Sequence, residues 1–345
     1  MNAAEFGVNA RQGASYTSEI VGVAHAFPRE HVDNDEYVRR AEFDLGRSVE
    51  ELARESQMKT RRWCLPEEDT RSLAEAAVAS LSERYPELCR DIDVVVVASG
   101  TTMPFAHPSD REHRVFADLS PLVLRKLGLS QALGLDIKAC YCSGFVRGLA
   151  VTDGLLSNAN YRVGLLLCVE QGSRFATAST NRSSFSFIVG DAAGAVLLKR
   201  GKAGERRGIV DYVGFTDVSK LDWVGIGDDA ASIIMMGSRA AEATRSMLVS
   251  CARTLLARNR LTPADINWLL PIQTHRGLLE AVLTELEFPA DKLMWRGDVH
   301  GFSGSASIPA CLSEQYQAGR IKKGELVLSL AVGAGMNAGG SLYVI

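Results

Sequence analysis

Leu135-Asp-Ile-Lys-Ala-Cys-Tyr-Cys-Ser-Gly-Phe-Val-Arg-Gly-Leu-Ala-Val-Thr-Asp-Gly-Leu-Leu156 holds the junction that decides the fold. An apolar strand end at 135–137 leads into a turn, Cys140-Tyr141-Cys142-Ser143-Gly144, and a helical pattern runs from Phe145 to about Leu156. Strand, tight turn, helix is the building unit of α/β proteins. Upstream, residues 94–98 form a continuous β-branched run between Asp93 and Gly100, the mark of a strand buried on both faces. Residues 20–24 read as a first strand, and 73–81 and 119–127 as helices. Downstream, 163–169 is a second buried strand, 176–186 a Ser/Thr-rich loop, and 187–198 carries Gly190-Asp191-Ala192-Ala193-Gly194, read as a turn inside a strand pair.

The polar segment 200–207 then reads as a hinge, after which the order repeats. Strand patterns at 209–214, 267–270, 326–332 and 340–345 alternate with helical ones at 240–258, 278–286 and 308–318. The expectation is an α/β protein of two similar halves, residues 1–200 and 201–345, each with a mixed sheet covered by helices.

Composition narrows the class of function. The 345 residues are 46% hydrophobic and 23% charged with a net charge of −3, which suits a globular protein and argues against a broad nucleic-acid footprint. Apolar runs fall short of the ~20 residues of a membrane span, and the first eighteen residues lack the apolar core of a secretory signal. The seven cysteines are scattered without a Cys-x-x-Cys pair, so neither a disulfide scaffold nor a zinc site is expected, and a reducing cytoplasmic location fits. No phosphate loop or dinucleotide fingerprint occurs.

Two places can carry chemistry. A thiol at Cys142 would meet the positive end and the unpaired N–H groups of the following helix, which favour the nucleophilic thiolate; the alternative is a buried structural cysteine. Cys140 competes for the role from the strand end. Gly333-Ala334-Gly335 can present backbone N–H groups to an oxyanion, or be a plain turn between strands.

Five segments in order resemble the thiolase superfamily, most closely the β-ketoacyl-acyl-carrier-protein synthase III group. They are residues 16–34 with Pro28-x-x-x-Val32-x-Asn34, residues 136–145 ending Cys-Ser-Gly-Phe, and residues 187–198 with Gly-Asp-Ala-Ala-Gly-Ala-Val. The last two are His300-Gly-Phe-Ser-Gly-Ser-Ala-Ser-Ile-Pro309 and the 333–340 glycine turn. The resemblance implies a thiolase-like five-layer α-β-α-β-α fold with duplicated halves, in a homodimer. It implies an acyl group loaded onto Cys142 from acyl-CoA or an acyl carrier protein, with no permanently bound cofactor and no metal. The oxyanion would be held by the N–H groups of Cys142 and Ala334. Arg61, Arg62 and Trp63 match the region that helps hold the CoA nucleotide, unless they are a solvated basic loop.

Two departures change the expected reaction. Condensing members pair the cysteine with a His and an Asn that stabilise an enolate; here Ile272 and Phe302 stand at those positions. Neither side chain donates a hydrogen bond, so decarboxylative condensation is not expected. The expected activity is acyl transfer to a small-molecule or carrier-bound acceptor, in fatty-acid-like or secondary metabolism, with no nucleic-acid or membrane partner. His300, in the loop expected to face the cysteine, is the first choice of base unless it is structural; His275, at the start of a helix, is the second unless it is a cap. Asp298 could orient an imidazole at 300. His25, His31, His107 and His113 read as structural or loop residues. The competing readings are a condensing enzyme with a substituted catalytic set, and an inactive partner subunit of a ketosynthase-like complex.

Overall fold

Val94–Ala98 is fully buried, as its unbroken apolar run requires, and sits deep inside a five-stranded sheet. The computed structural model describes residues 16–41, 46–101, 118–138, 141–176, 184–202, 208–226, 233–235 and 237–345. Cys140, His107 and His113 lie outside them. In chain order the strands are β1 (Tyr16–Ala26), β2 (Glu30–Asp33), β3 (Thr60–Trp63), β4 (Val94–Ala98), β5 (Leu133–Ile137), β6 (Val163–Gln171), β7 (Asp191–Lys202), β8 (Gly208–Thr216), β9 (Val224–Ile226), β10 (Ile233–Met235), β11 (Trp268–Pro271), β12 (Leu326–Gly333) and β13 (Asn337–Val344). The layer-forming helices are α1 (Thr70–Arg84), α2 (Ser120–Leu127), α3 (Gly144–Leu156), α4 (Gly237–Asn259), α5 (Arg276–Leu286) and α6 (Ser307–Gln317).

The first sheet has the order β1-β7-β6-β4-β5 and the second β11-β12-β13-β8. Written from the other end, the second is β8-β13-β12-β11. In both, the first two pairings are antiparallel and the third is parallel. Strands β1, β7, β6 and β4 thus correspond in topology to β8, β13, β12 and β11. Each sheet is closed by strands from one part of the chain, 16–202 for the first and 208–344 for the second.

Side-chain alternation along these strands separates three cores. Val95, Val97, Leu165 and Leu167 face α1 and α2 on one outside. Leu328, Leu330 and Val332 face α4 and α5 on the other. Val94, Val96, Leu166, Val327 and Ala331 point inward, onto Phe145 and Leu149 of α3 and Ile308 and Leu312 of α6. The layers therefore run α-β-α-β-α. At about 1.5–3 kcal/mol for each fully buried aliphatic side chain, the middle core alone is a large share of the folding free energy. Among the described residues no helix is long and apolar enough to cross a membrane.

One element differs from its sequence reading. Gly190–Gly194 is not a turn inside a strand pair but the entry of the continuous strand β7. Gly194 sits where α6 packs on the sheet; a Cβ there would lie 2.6 Å from the backbone N of Ala310. The glycine permits close helix–sheet approach rather than a bend.

Candidate active site

Tyr141–Ser143 forms a single 3-10 turn running directly into α3, with Cys142 half-buried at the junction. Ser143 gives α3 no side-chain cap. Tyr141 has φ +56°, a left-handed conformation that costs a side-chain-bearing residue about 1–2 kcal/mol. Close packing on both flanks holds it there. Its ring covers Gly100, where a Cβ would lie 2.5 Å from the ring, and Gly144 lies against Ser305, where a Cβ would lie 2.5 Å from the serine Cβ. Burial, then the negative charges at Glu170 and Cys142, push the Tyr141 phenol up to about 12, so it stays neutral.

Cys142 opens into a cavity of about 860 Å³. Ile272, Phe302, Phe185, Val332, Ala334 and His275 share its wall. Ile272 follows β11 and donates its N–H to Leu330 O at 2.9 Å. Phe302 is pinned by a backbone bridge, its N–H to Ile188 O at 2.7 Å and its carbonyl accepting from Gly190 at 2.9 Å, and meets Phe185 edge-on at 5.5 Å. Both apolar replacements are therefore fixed walls, 3% and 4% exposed.

The Gly333–Gly335 turn is held from behind. Gly335 has φ +94°, and Asn337 Nδ2 donates to Ala334 O at 2.5 Å. The Asn337 Oδ1 in turn accepts from Arg147 at 2.8 Å and Thr216 at 2.6 Å. This network fixes the turn, so an N–H of Ala334 can be presented without reorganisation. His275 is the N-cap residue of α5 and half-buried, beside the Arg47–Glu55 ion pair (2.7 Å), which also borders the cavity. Burial lowers its pKa, with Glu55 opposing and Arg47 adding to the effect. The imidazole is accordingly neutral near pH 7, the form that accepts a proton.

Other expected site residues lie elsewhere. His300 does not reach the cavity. Its ring stacks on Phe27 at 3.9 Å, and its Nε2 contacts Glu314 Oε1 at 2.8 Å. Burial would raise the Glu314 carboxyl, but the hydrogen bond and charge of His300, with Arg296, hold it at about 2. Glu314 is thus an ionised acceptor and the imidazole donates. The partner that orients His300 is Glu314 rather than Asp298, whose side chain meets Lys59 at 3.4 Å.

Arg61, Arg62 and Trp63 do not line this cavity either. They lie in β3, paired with β2. Arg61 is fully buried between the Tyr37 and Phe187 rings (4.9 and 4.7 Å) and donates to Asp33 O and Asn34 Oδ1 at 2.9 and 2.8 Å. Trp63 is 3% exposed with its indole N–H on Val189 O at 2.9 Å, so no adenine can stack on it. Arg62 donates to Pro28 O at 3.0 Å. Burial alternates along β3, so Arg61 and Trp63 face inward while Arg62 lies half-buried on the opposite face.

One cavity group was missed by sequence reasoning. Glu170, the penultimate residue of β6, is 1% exposed and lines the cavity. Gly100 N–H, Thr101 N–H and Oγ, and Ser305 Oγ all donate to its carboxylate, between 2.6 and 3.1 Å. The available signal was a carboxylate directly after the apolar run at 163–169, where no solvent balances its charge.

Known proteins are similar to this chain along nearly its whole length. Residues 135–218 match the family described as 3-oxoacyl-[acyl-carrier-protein] synthase III, and residues 256–345 match that family's C-terminal region. The β-ketoacyl-[acyl-carrier-protein] synthase III of Paramagnetospirillum magneticum is 30% identical over 334 residues, covering 94% of this chain and 98% of that protein. The one from Rhodospirillum centenum is 28% identical over 333 residues, with the same coverage. The solved 3-oxoacyl-[acyl-carrier-protein] synthase III of Aquifex aeolicus superposes with a TM-score of 0.83 over 95% of this chain and all of that one, at 22% identity. With the duplicated sheets, the cysteine turn and the glycine turn in this order, the chain belongs to the β-ketoacyl-acyl-carrier-protein synthase III family of the thiolase superfamily.

Proposed function

We propose that the chain transfers acyl groups through Cys142 without decarboxylative elongation. The observation that carries this reading is the apolar wall: Ile272 and Phe302 border the same cavity as Cys142 and are held by their backbones. An enolate formed from a malonyl thioester would find no side-chain donor at either position. The Cys142 thiolate attacks the carbonyl carbon of a CoA or carrier-protein thioester. The oxyanion rests on the N–H groups of Cys142 and Ala334, and its collapse expels the CoA or pantetheine thiolate. The acceptor, a hydroxyl, amine, thiol or preformed carbon nucleophile, then attacks the acyl-cysteine, gives its proton to His275 and releases the Cys142 thiolate. His275 takes the role first expected of His300 because it borders the cavity and is neutral. A free thiol suits a reducing compartment.

The family name supports a second reading, condensation with a substituted catalytic set. Intact-mass spectrometry with a panel of acyl-CoAs, alongside release of labelled CO2 from malonyl-CoA, separates the readings. An acyl adduct on Cys142 with no CO2 release is the expected result. Robust CO2 release that depends on Cys142 would establish condensation, and no adduct with any donor would leave a non-catalytic partner subunit. The homodimer we propose forms at β5, the edge of the described first sheet, which exposes Leu133 and Leu135.

A further inference from the structure

We propose that Glu170 is a positioning residue whose carboxylate clamps the Cys142 turn from both flanks; the inference rests on Cys142 as nucleophile. Its two oxygens bind two separate pieces of backbone. One is Gly100–Thr101, following β4, through the two N–H groups and the Thr101 hydroxyl. Thr101 Oγ1 itself accepts from Gln171 N–H at 2.9 Å, so its single proton is committed to Glu170. The other piece is Ser305, on the turn leading to α6, whose hydroxyl lies 2.6 Å from Glu170 Oε1.

Both pieces touch the nucleophile turn. Gly100 lies under the Tyr141 ring, one residue before Cys142, and Ser305 lies on Gly144, two residues after it. Tyr141 occupies its left-handed conformation only while Gly100 stays in place, and the start of α3 is set by Ser305. Glu170 ties both flanks to the end of β6, a strand buried along its whole length. Gly304, with φ +48°, leaves room for the carboxylate stem, its would-be Cβ lying 3.1 Å from Glu170 Cγ.

The clamp consists of neutral donors around a buried charge. Among the described residues no cation pairs with Glu170; the nearby titratable groups are the Tyr141 phenol from the nucleophile turn and the Cys168 thiol from its own strand. Arg174 reaches only the carbonyl of Thr101, at 3.5 Å. Burial, partly offset by the Ser305, Gly100 and Thr101 hydrogen bonds, raises the Glu170 carboxyl to about 7. On protonation one oxygen becomes a donor, and Ser305 must turn its proton to Ala98 O, 3.3 Å away. The grip on Ser305 then reverses direction while that on Gly100 and Thr101 persists.

The test is the pH dependence of Cys142 alkylation by iodoacetamide, followed on the Cys142 peptide by mass spectrometry in wild type, Glu170→Gln, Glu170→Ala and Ser305→Ala. The wild-type profile is expected to bend near pH 7 in addition to the titration of the thiol itself. That bend should vanish in Glu170→Gln. Acylation of Cys142 by acyl-CoA should fall at least tenfold in Glu170→Ala and three- to tenfold in Ser305→Ala. Wild-type rates and an unchanged profile in the folded Glu170 variants would overturn the clamp. Should Glu170→Ala fail to fold, Glu170→Gln and Ser305→Ala decide the matter by the same criterion. Alkylation needs no acyl donor, so a wild-type chain that alkylates but never acylates would sink the proposed function and leave the clamp to stand or fall on its own profile.

Discussion

Cys142, His275 and His300 make separable predictions at the level of single residues. Cys142→Ala should abolish the acyl adduct in intact-mass spectra, since no other half-exposed thiol borders the cavity among the described residues. His275→Ala should acylate at close to the wild-type rate in a single turnover and slow transfer to the acceptor roughly 10²-fold, the lower end of what a positioned base contributes. His300→Ala should leave both steps nearly intact and cost stability instead, because it takes from Glu314 one of its three hydrogen-bond partners and from Phe27 its stacked ring; thermal unfolding measures this. The opposite assignment would show as slow transfer in His300→Ala alone. For the two walls, Ile272→His with Phe302→Asn places polar groups in an apolar pocket at about 1–3 kcal/mol each. The double variant should gain some malonyl decarboxylation and lose native transfer, because polar walls admit water to the acyl thioester. Release of labelled CO2 and the lifetime of the adduct report the two effects.

Strands β4 and β6 were legible in the sequence because burial on both faces writes a nearly uninterrupted apolar run, and α3 was legible from the helical apolar spacing that follows Ser143-Gly144. The pair β2–β3 was not. Thr60-Arg-Arg-Trp63 is mostly polar, like a surface strand, and it is the Tyr37 and Phe187 rings with the Asp33 and Asn34 acceptors that make the interior tolerable for Arg61. His300 misled for a related reason: its loop does carry the cavity wall, at Phe302, but the helical residues 297–300 turn the imidazole toward α6. Glu170 was hidden because its four donors come from two segments distant from it in sequence, Gly100 with Thr101, and Ser305. It also gives this level its pH prediction. A carboxyl raised from 4.5 to about 7 by folding contributes stability fully present below pH 4.5 and lost as pH rises through 7, on the order of 3 kcal/mol. Asp191, raised to about 6 by burial, adds a smaller slope in the same direction. Denaturant unfolding between pH 5 and 8 should show this decline, and Glu170→Gln should flatten it.

The whole molecule is held by a middle core that neither sheet owns, since strands of both sheets send alternate side chains into it. Unfolding should therefore be one cooperative calorimetric transition rather than two; resolved transitions for residues 16–202 and 208–344 would contradict this. The corresponding strands have a corresponding turn between them. Tyr141–Ser143 introduces α3 in the first half, and Gly304–Ala306 introduces α6 in the second. The two turns meet at the Gly144–Ser305 contact, so Gly144→Ala should wedge them apart and cost about 1–3 kcal/mol, with acylation falling alongside stability. Two topologically corresponding turns thus meet face to face with unlike side chains. One carries the thiol proposed as nucleophile and the other the Ser305 hydroxyl, so on that proposal neither half could be exchanged for the other without losing the acyl transfer.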